Sequence, residues 1–481
     1  MASLSEVYLI LLFVSSAICT DTMMKYDTIV IGLGAAGTTA ASALAKAGKR
    51  VLALEAQDRI GGRVQTVPFG DGVVELGAEW IHGTEPSVVY DSAIDNNVTV
   101  LPQDIYLNVY KSDGTPGNSE LINELVDYAL EMTSNITGPA RPLGLYLTDK
   151  LNEYIKERHP ELVHDREFLS EFLSIMDLIV DNLESSNDWY DVSTLTNYRE
   201  LGGHQHMSWH RHGYKTFFDI LLNTYENGPG WPTLDIKLNK EVKLIKWPRD
   251  SSGDVEVTCA DGSVFTADNV IVTVSLGVLK ERYKTLFVPQ LPEDKVTTIE
   301  KLSMGVIGKI ILSFPQKWWP MDGNFLFFWS RSDKLKCENW LTKILGLTQP
   351  KGSNNTITLW TSGDTTRLVE AMPSDVVMKK SMELIRRFMG KVADIPEPTG
   401  ILMSKWFSNP YTRGSYTYDN LVVTDYPDAR ATLEAPLRDS TGALKVLFAG
   451  EATNSNHFST VHGASETGLR EAKRILPNSK L

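Results

Sequence analysis

The chain has 481 residues, 42% hydrophobic and 22% charged, the balance of a folded globular protein with core enough for two or three domains. Its formal net charge of −13 argues against general nucleic-acid binding, which needs a basic face, and is compatible both with a cationic ligand and with plain solubility. Three cysteines, Cys19, Cys259 and Cys337, match no zinc or redox spacing; a Cys259–Cys337 disulfide and two free thiols are both open.

The first segment reads as an address. Residues 7–14, VYLILLFV, form an apolar run too short to span a bilayer and of signal-peptide length, with small residues for cleavage after Cys19. The n-region is a poor match, holding Glu6 and no Lys or Arg. The expectation is a signal peptide over 1–19, a secretory route and no transmembrane span. A competing address stands at the other end, where Ser479-Lys480-Leu481 is a peroxisomal import tripeptide. Translation from Met23 or Met24 would delete the leader and leave that tripeptide in charge. Sequons at Asn97, Asn135 and Asn354 are about what chance supplies in this length.

From Tyr26, YDTIVIG has the look of a buried parallel strand. It runs into a G-x-G-x-x-G formed by Gly32, Gly34 and Gly37, then an Ala-rich helix that Gly48 ends, then RVLALEA closing on Glu55. Gly32 allows the tight turn, Gly34 lets backbone approach a pyrophosphate at the helix N-terminus, and Gly37 lets helix pack on strand. A carboxylate at Glu55 suits an adenosine ribose. Gly61-Gly62-Arg63 follows as a second glycine turn carrying a fixed cation, whose planar fork suits a diphosphate.

Helical periodicity dominates the middle, in NELVDYALEMTSN and REFLSEFLSIMDLIVDNLE. The stretch GGHQHMSWHRHGY gathers His204, His206, His210 and His212, but no cysteine or carboxylate completes a zinc pattern, and no metal is expected. Strand signals return at EVKLIKW, VEVTCADGSVFTADNVIVTVSLGVL, GKIILSFP and NTITLW. SMELIRRFMGKV reads as a helix, and LKVLFAGEA is a last strand before a small-residue helix near 463–475. The fold expected is α/β: a Rossmann-like nucleotide-binding domain over 24–85, 235–290 and 430–478, interleaved with an α+β substrate-binding domain over 86–234 and 291–429.

With the glycine turn at Arg63 the sequence resembles the flavin-containing amine oxidases. The resemblance recurs in LGAEWIHG (76–83), LGVLK (276–280), GKIILSFPQKWWP (308–320), NPYTRGSYTY (409–418) and LFAGEATNSNHFSTVHGA (447–464), and is nearest to the spermine and N1-acetylpolyamine oxidases. It implies FAD as cofactor. Glu451 would hold its ribityl or phosphate side, backbone at Thr460 and Val461 would meet the isoalloxazine ring, and Val242 the adenine. Ser415 stands where monoamine oxidases carry a cysteine bonded to the flavin, so FAD is expected to be noncovalent. Lys309 would reach flavin N5 through a water and assist reoxidation; a lysine among apolar strand residues is otherwise costly to bury. His82 would lie near the substrate nitrogens, where its near-neutral titration suits selecting an amine's protonation state. Tyr416 and Trp80 would form aromatic walls, Thr460 would touch substrate, and Glu184 and Ser186 would bind the distal amine.

The activity so implied is oxidation of spermine, spermidine or acetylated forms to an aldehyde and a shorter amine, with dioxygen becoming hydrogen peroxide. Two alternatives stay open. One is another flavin amine or L-amino acid oxidase, which would need an arginine for the carboxylate. The other is a secreted, catalytically inactive FAD-binding protein acting through a partner. The histidine-rich stretch and NSNHF (454–458) depart from the family pattern and put spermine itself in question.

Overall fold

The computed structural model describes residues 25–134, 136–321 and 323–476. The expected leader over 1–19, the starts at Met23 and Met24, the sequon at Asn135 and the C-terminal tripeptide lie outside them.

Tyr26–Ile31 pairs in parallel with Val51–Leu54 on one side and Val264–Val272 on the other. Leu234–Lys237 extends the sheet beyond Val51–Leu54. Val264–Val272 is long enough to serve two partners along one edge. Its first half pairs antiparallel with Val255–Cys259, and its end pairs in parallel with Leu444–Phe448, Val270 opposite Val446. Strands from three distant stretches of chain thus build one nine-stranded sheet. The helix Ala35–Lys46 lies against the helix Val461–Ile475. Thr39 and Ser465 share a buried hydroxyl hydrogen bond of 2.7 Å, and a Cβ on Gly468 would fall 2.1 Å from the Ala36 carbonyl oxygen. The first and last helices of the described residues meet at backbone distance, which only a small-residue seam permits.

The second sheet has six strands in the order Gly400–Met403, Ile307–Ser313, Thr356–Ser362, Gly346–Thr348, Asn324–Phe328 and Leu107–Lys111. Strand alternation divides NFLFF between two cores. Phe325 and Phe327 pack with Ile310, Leu359 and Phe388, the last from the helix Ser374–Met389; Leu326 and Phe328 pack under the helices Ser119–Glu131, Leu143–Arg158 and Arg166–Glu184. Each such side chain contributes roughly 2–3 kcal/mol by leaving water.

One expectation is corrected, and of the two states left open for the cysteines one is found. The strand signal through VSLGVL overruns: the strand stops at Val272, and Ser275 Oγ accepts from Val278 N at 3.2 Å to start the helix Leu276–Leu286. A serine cap outweighs the β-branched residues beside it. Cys259 and Cys337 are both unpaired, so the disulfide does not form; they sit in different cores. Among the described residues no helix is long and apolar enough to cross a membrane.

Candidate active site

A cavity of about 1570 Å³ is walled by residues of both sheets and of the connections between them. That exceeds the usual space of a single small ligand. Its walls are of two kinds.

One wall is largely backbone. Gly32 turns with φ +93°, where a Cβ would lie 2.8 Å from Thr273 Oγ1. Gly37 is outside the cavity, and a Cβ there would fall 1.9 Å from the Gly32 carbonyl oxygen, so glycine is what lets the helix start against the loop. Gly34 behaves differently: the nearest atom to an added Cβ is Gly62 Cα at 3.9 Å, so the methyl would occupy cavity space. Gly34, Ala35 and Ala36 wall the cavity, and no side chain caps this helix. Its first N–H groups and its dipole therefore offer an anion site. The helix Val461–Ile475 also begins at the wall, capped by Thr460, whose Oγ1 accepts from Gly463 N at 2.9 Å and donates to the His457 carbonyl at 2.8 Å.

Charges on this wall are internally organised. Glu55 accepts from the amides of Leu33 at 2.7 Å and Gln57 at 2.9 Å, tying the two strand ends together. Arg63 donates to Glu451 Oε1 and to the Ser415 carbonyl, both at 2.8 Å. Glu451 Oε2 accepts from Thr417 Oγ1 at 2.7 Å and Ser459 N at 3.0 Å. Burial alone would raise the Glu451 pKa, but the Arg63 and Arg430 charges and the Arg63 and Thr417 hydrogen bonds outweigh it and hold the carboxyl below its ordinary range. The uncapped helix start, the glycine whose Cβ would fill the cradle and the arginine beside it suit the diphosphate of a dinucleotide, and Glu55 and Val242 lie on the same wall.

The other wall is side chains. Lys309 sits in Ile307–Ser313, 3% exposed, and donates to the carbonyls of Glu75 and Gly77 at 2.9 Å each and to Glu79 Oε2 at 2.7 Å. All three ammonium protons are taken. Trp360 lies directly opposite in the antiparallel ladder, with Lys309 Nζ 4.5 Å from its ring centroid. Trp80 stacks on Trp360 at 5.7 Å and 14°, and its Nε1 donates to Gln103 at 3.0 Å. His82 is held below its usual pKa by burial, and His206, ring centroid 5.7 Å away, is pushed down to about 4 by burial and by His82 and His204. Both imidazoles are therefore neutral near pH 7.

The helix Arg166–Glu184 ends at this wall. Tyr416 Oη donates to its last carbonyls, Asn182 at 3.0 Å and Leu183 at 3.3 Å, satisfying groups the helix end leaves open. Glu184 lines the cavity beside it with no salt-bridge partner among the described residues; burial, reinforced by Asp419, raises its pKa to about 7.

Most residues picked out in the sequence wall this one cavity. Gly37 lies outside it as a packing glycine. Ser186 also lies outside it, contrary to expectation. Ser185 takes a left-handed conformation (φ 56°), and the turned chain buries Ser186, whose Oγ donates to Asp181 Oδ1 at 2.6 Å. Of the four clustered histidines only His206 reaches the wall, and no group of His, Cys, Asp or Glu among the described residues could hold a metal. Trp360 and Glu79 are wall residues that the sequence did not single out, and His206 was weighed there only as a metal ligand.

Comparison with known proteins agrees with this geometry. The bovine (Bos taurus) peroxisomal N(1)-acetyl-spermine/spermidine oxidase is 29% identical over 93% of this chain and 94% of its own length. Polyamine oxidase 1 of Zea mays is 28% identical over 93% and 90%. A solved putrescine oxidase variant, redesigned in cofactor binding, shares the fold with a TM-score of 0.64 at 18% identity, covering 95% of this chain and 100% of that one. The family described as flavin containing amine oxidoreductase matches residues 35–476, nearly everything from the glycine loop to the last helix. The chain is a member of that family, a flavin-dependent amine oxidase with FAD as its cofactor.

Proposed function

We propose that the protein oxidises a polyamine, breaking it into an aldehyde and a shorter amine while dioxygen becomes hydrogen peroxide. The observation that carries this reading is Glu184: a carboxylate at the aromatic end of the cavity, pushed up to about 7 by burial and Asp419 against the opposing charge of Arg430, with no salt-bridge partner among the described residues. A distal ammonium would supply that charge and draw the carboxyl back to its ionised form. Beside Glu184 the buried Lys309 is already paired with Glu79, so it does not offer a free cation to an amino-acid carboxylate. The polyamine oxidases among the relatives support the polyamine reading.

Gly32, Gly34, Gly62, Arg63, Glu55, Val242, Glu451, Thr460 and Val461 would hold FAD, in a domain formed by 24–85, 235–290 and 430–478, with 86–234 and 291–429 binding the amine. When bound, FAD accepts the hydride equivalent from the amine and passes the electrons to dioxygen. The protein orients and tunes. Trp80, Trp360 and Tyr416 confine the alkyl chain. Neutral His82 accepts a hydrogen bond without adding a positive charge beside a nitrogen that must itself be uncharged to react. Lys309 holds a positive charge and a proton at the wall. Ser415, with Oγ bonded to the Ile307 amide at 2.8 Å and carbonyl at 3.0 Å, offers no thiolate, and neither Cys259 nor Cys337 lines the cavity, which supports noncovalent FAD. For location, the peroxisomal relatives support a peroxisomal address as the alternative to the secretory route. Peroxide release should follow spermine or N1-acetylspermine and not L-leucine; release with L-leucine alone would overturn the reading.

A further inference from the structure

A second, much smaller cavity of about 10 Å³, room for a single water molecule, lies behind Glu79. Among the described residues Glu79 is the one that walls both cavities. The antiparallel pairing of Trp80–Ile81 with Met207–Ser208 explains the neighbourhood, since Trp80 opposite Ser208 brings Glu79 alongside Trp209 and His210.

Three residues of this small cavity carry a buried polar atom without a hydrogen-bond partner: Glu79 Oε1, Trp209 Nε1 and His210 Nδ1. Trp209 Nε1 is near enough to the Tyr214 hydroxyl to favour its ionised form, yet makes no hydrogen bond of proper geometry. Leaving such groups unmet costs about 1–3 kcal/mol each, which a bound water relieves for those it reaches. Glu75 also touches the cavity, but its carboxylate already accepts from Thr66 Oγ1 at 2.8 and 2.9 Å and from Tyr214 N at 2.8 Å. Glu79 differs: Oε2 holds Lys309 and Oε1 is open. His210 is only half-buried and so reaches solvent.

We propose that a water bound between Glu79 and His210 completes a proton path from solvent to Lys309, separate from the amine's own entry. The proposal rests on the role given to Lys309 above. Amine oxidation removes a hydride equivalent and a proton from a CH–NH unit, and dioxygen gains two electrons and two protons to leave as hydrogen peroxide. To yield a proton to the cavity, Lys309 turns one N–H away from the Glu75 or Gly77 carbonyl; that proton is replaced by one passing from His210 to the water, to Glu79 and, as the carboxyl turns over, to Nζ, and His210 regains its proton from solvent. Lysine ends as the ammonium it began as. Glu79 and His210 are relay and positioning residues.

The test uses the FAD-loaded enzyme. A crystal structure should place a water within hydrogen-bond distance of Glu79 Oε1 and His210 Nδ1. His210→Ala should slow flavin reoxidation by dioxygen about tenfold while anaerobic bleaching by amine changes less than about twofold, and Glu79→Gln should slow reoxidation at least as much. Added imidazole should restore His210→Ala and not Glu79→Gln. If Glu79→Gln does not fold, His210→Ala alone decides. A dry pocket among otherwise ordered waters, or wild-type reoxidation in the soluble variants, overturns the relay. Lys309→Met separates the two readings: wild-type reoxidation there sinks the role of Lys309 itself, whereas slow reoxidation in Lys309→Met alone sinks only the relay.

Discussion

The two walls of the cavity are made of different material. The nucleotide-facing wall is main chain: a loop at φ +93°, two helix starts and a glycine where a Cβ would meet no atom closer than 3.9 Å. The amine-facing wall is side chain: Lys309 clamped by three acceptors, two stacked tryptophans, and a tyrosine fixed by the end of the helix that presents Glu184. The first wall tolerates no change of backbone shape. The second can be altered one group at a time, and that is where substrate choice is written.

The largest expected effect comes from breaking the main-chain wall. Gly37→Val pushes a side chain into the Gly32 carbonyl, which should cost more than about 4 kcal/mol and leave no stable flavoprotein by thermal melt and visible spectrum. Gly34→Val sharpens the point. Its side chain enters the cavity rather than protein, so the far-ultraviolet dichroism of the purified chain should be unchanged while bound FAD falls at least about tenfold. A Gly34→Val protein with full flavin content would show that the loop does not carry the diphosphate.

On the side-chain wall effects should be graded. Lys309→Met should retain FAD and lose about 10²–10³ in turnover, read by stopped-flow separation of the two half-reactions. Glu184→Gln should raise KM for a diamine about tenfold with kcat little changed. The sign of its pH dependence follows from the raised pKa. Below about pH 7 the free carboxyl is protonated and cannot pair with an ammonium, so kcat/KM for a polyamine should rise as pH rises through 7. Glu184→Gln should lack that limb. Tyr416→Phe is the mildest: two helix-end carbonyls lose their donor, for about 1 kcal/mol of stability by denaturant titration.

The same contrast explains how far the sequence could be read. Gly32, Gly34, Gly37 and Glu55 form a local pattern, because backbone conformation over one βα turn is dictated by neighbours in the chain. The helices and most strands followed from periodicity for the same reason. Side-chain walls are assembled across the fold. Trp360 reaches Lys309 only through the register of two antiparallel strands, and no local signal distinguishes it from any other strand tryptophan. Glu79 looked like one letter of LGAEWIHG until the ladder brought His210 beside it. Ser186 was misplaced because a serine at φ 56° before it gives no warning. Lys309 and Glu184 are identified by resemblance, not by spacing.

The central claim is that one cavity presents an amine to FAD held by the joined ends of the chain. Anaerobic addition of a polyamine panel to the purified yellow protein tests it most directly. The account predicts rapid bleaching of the flavin band with spermine or its acetylated forms, and bleaching at higher polyamine concentration in Glu184→Gln. A protein that stays colourless after FAD is supplied, or a yellow one that no amine bleaches, would contradict it.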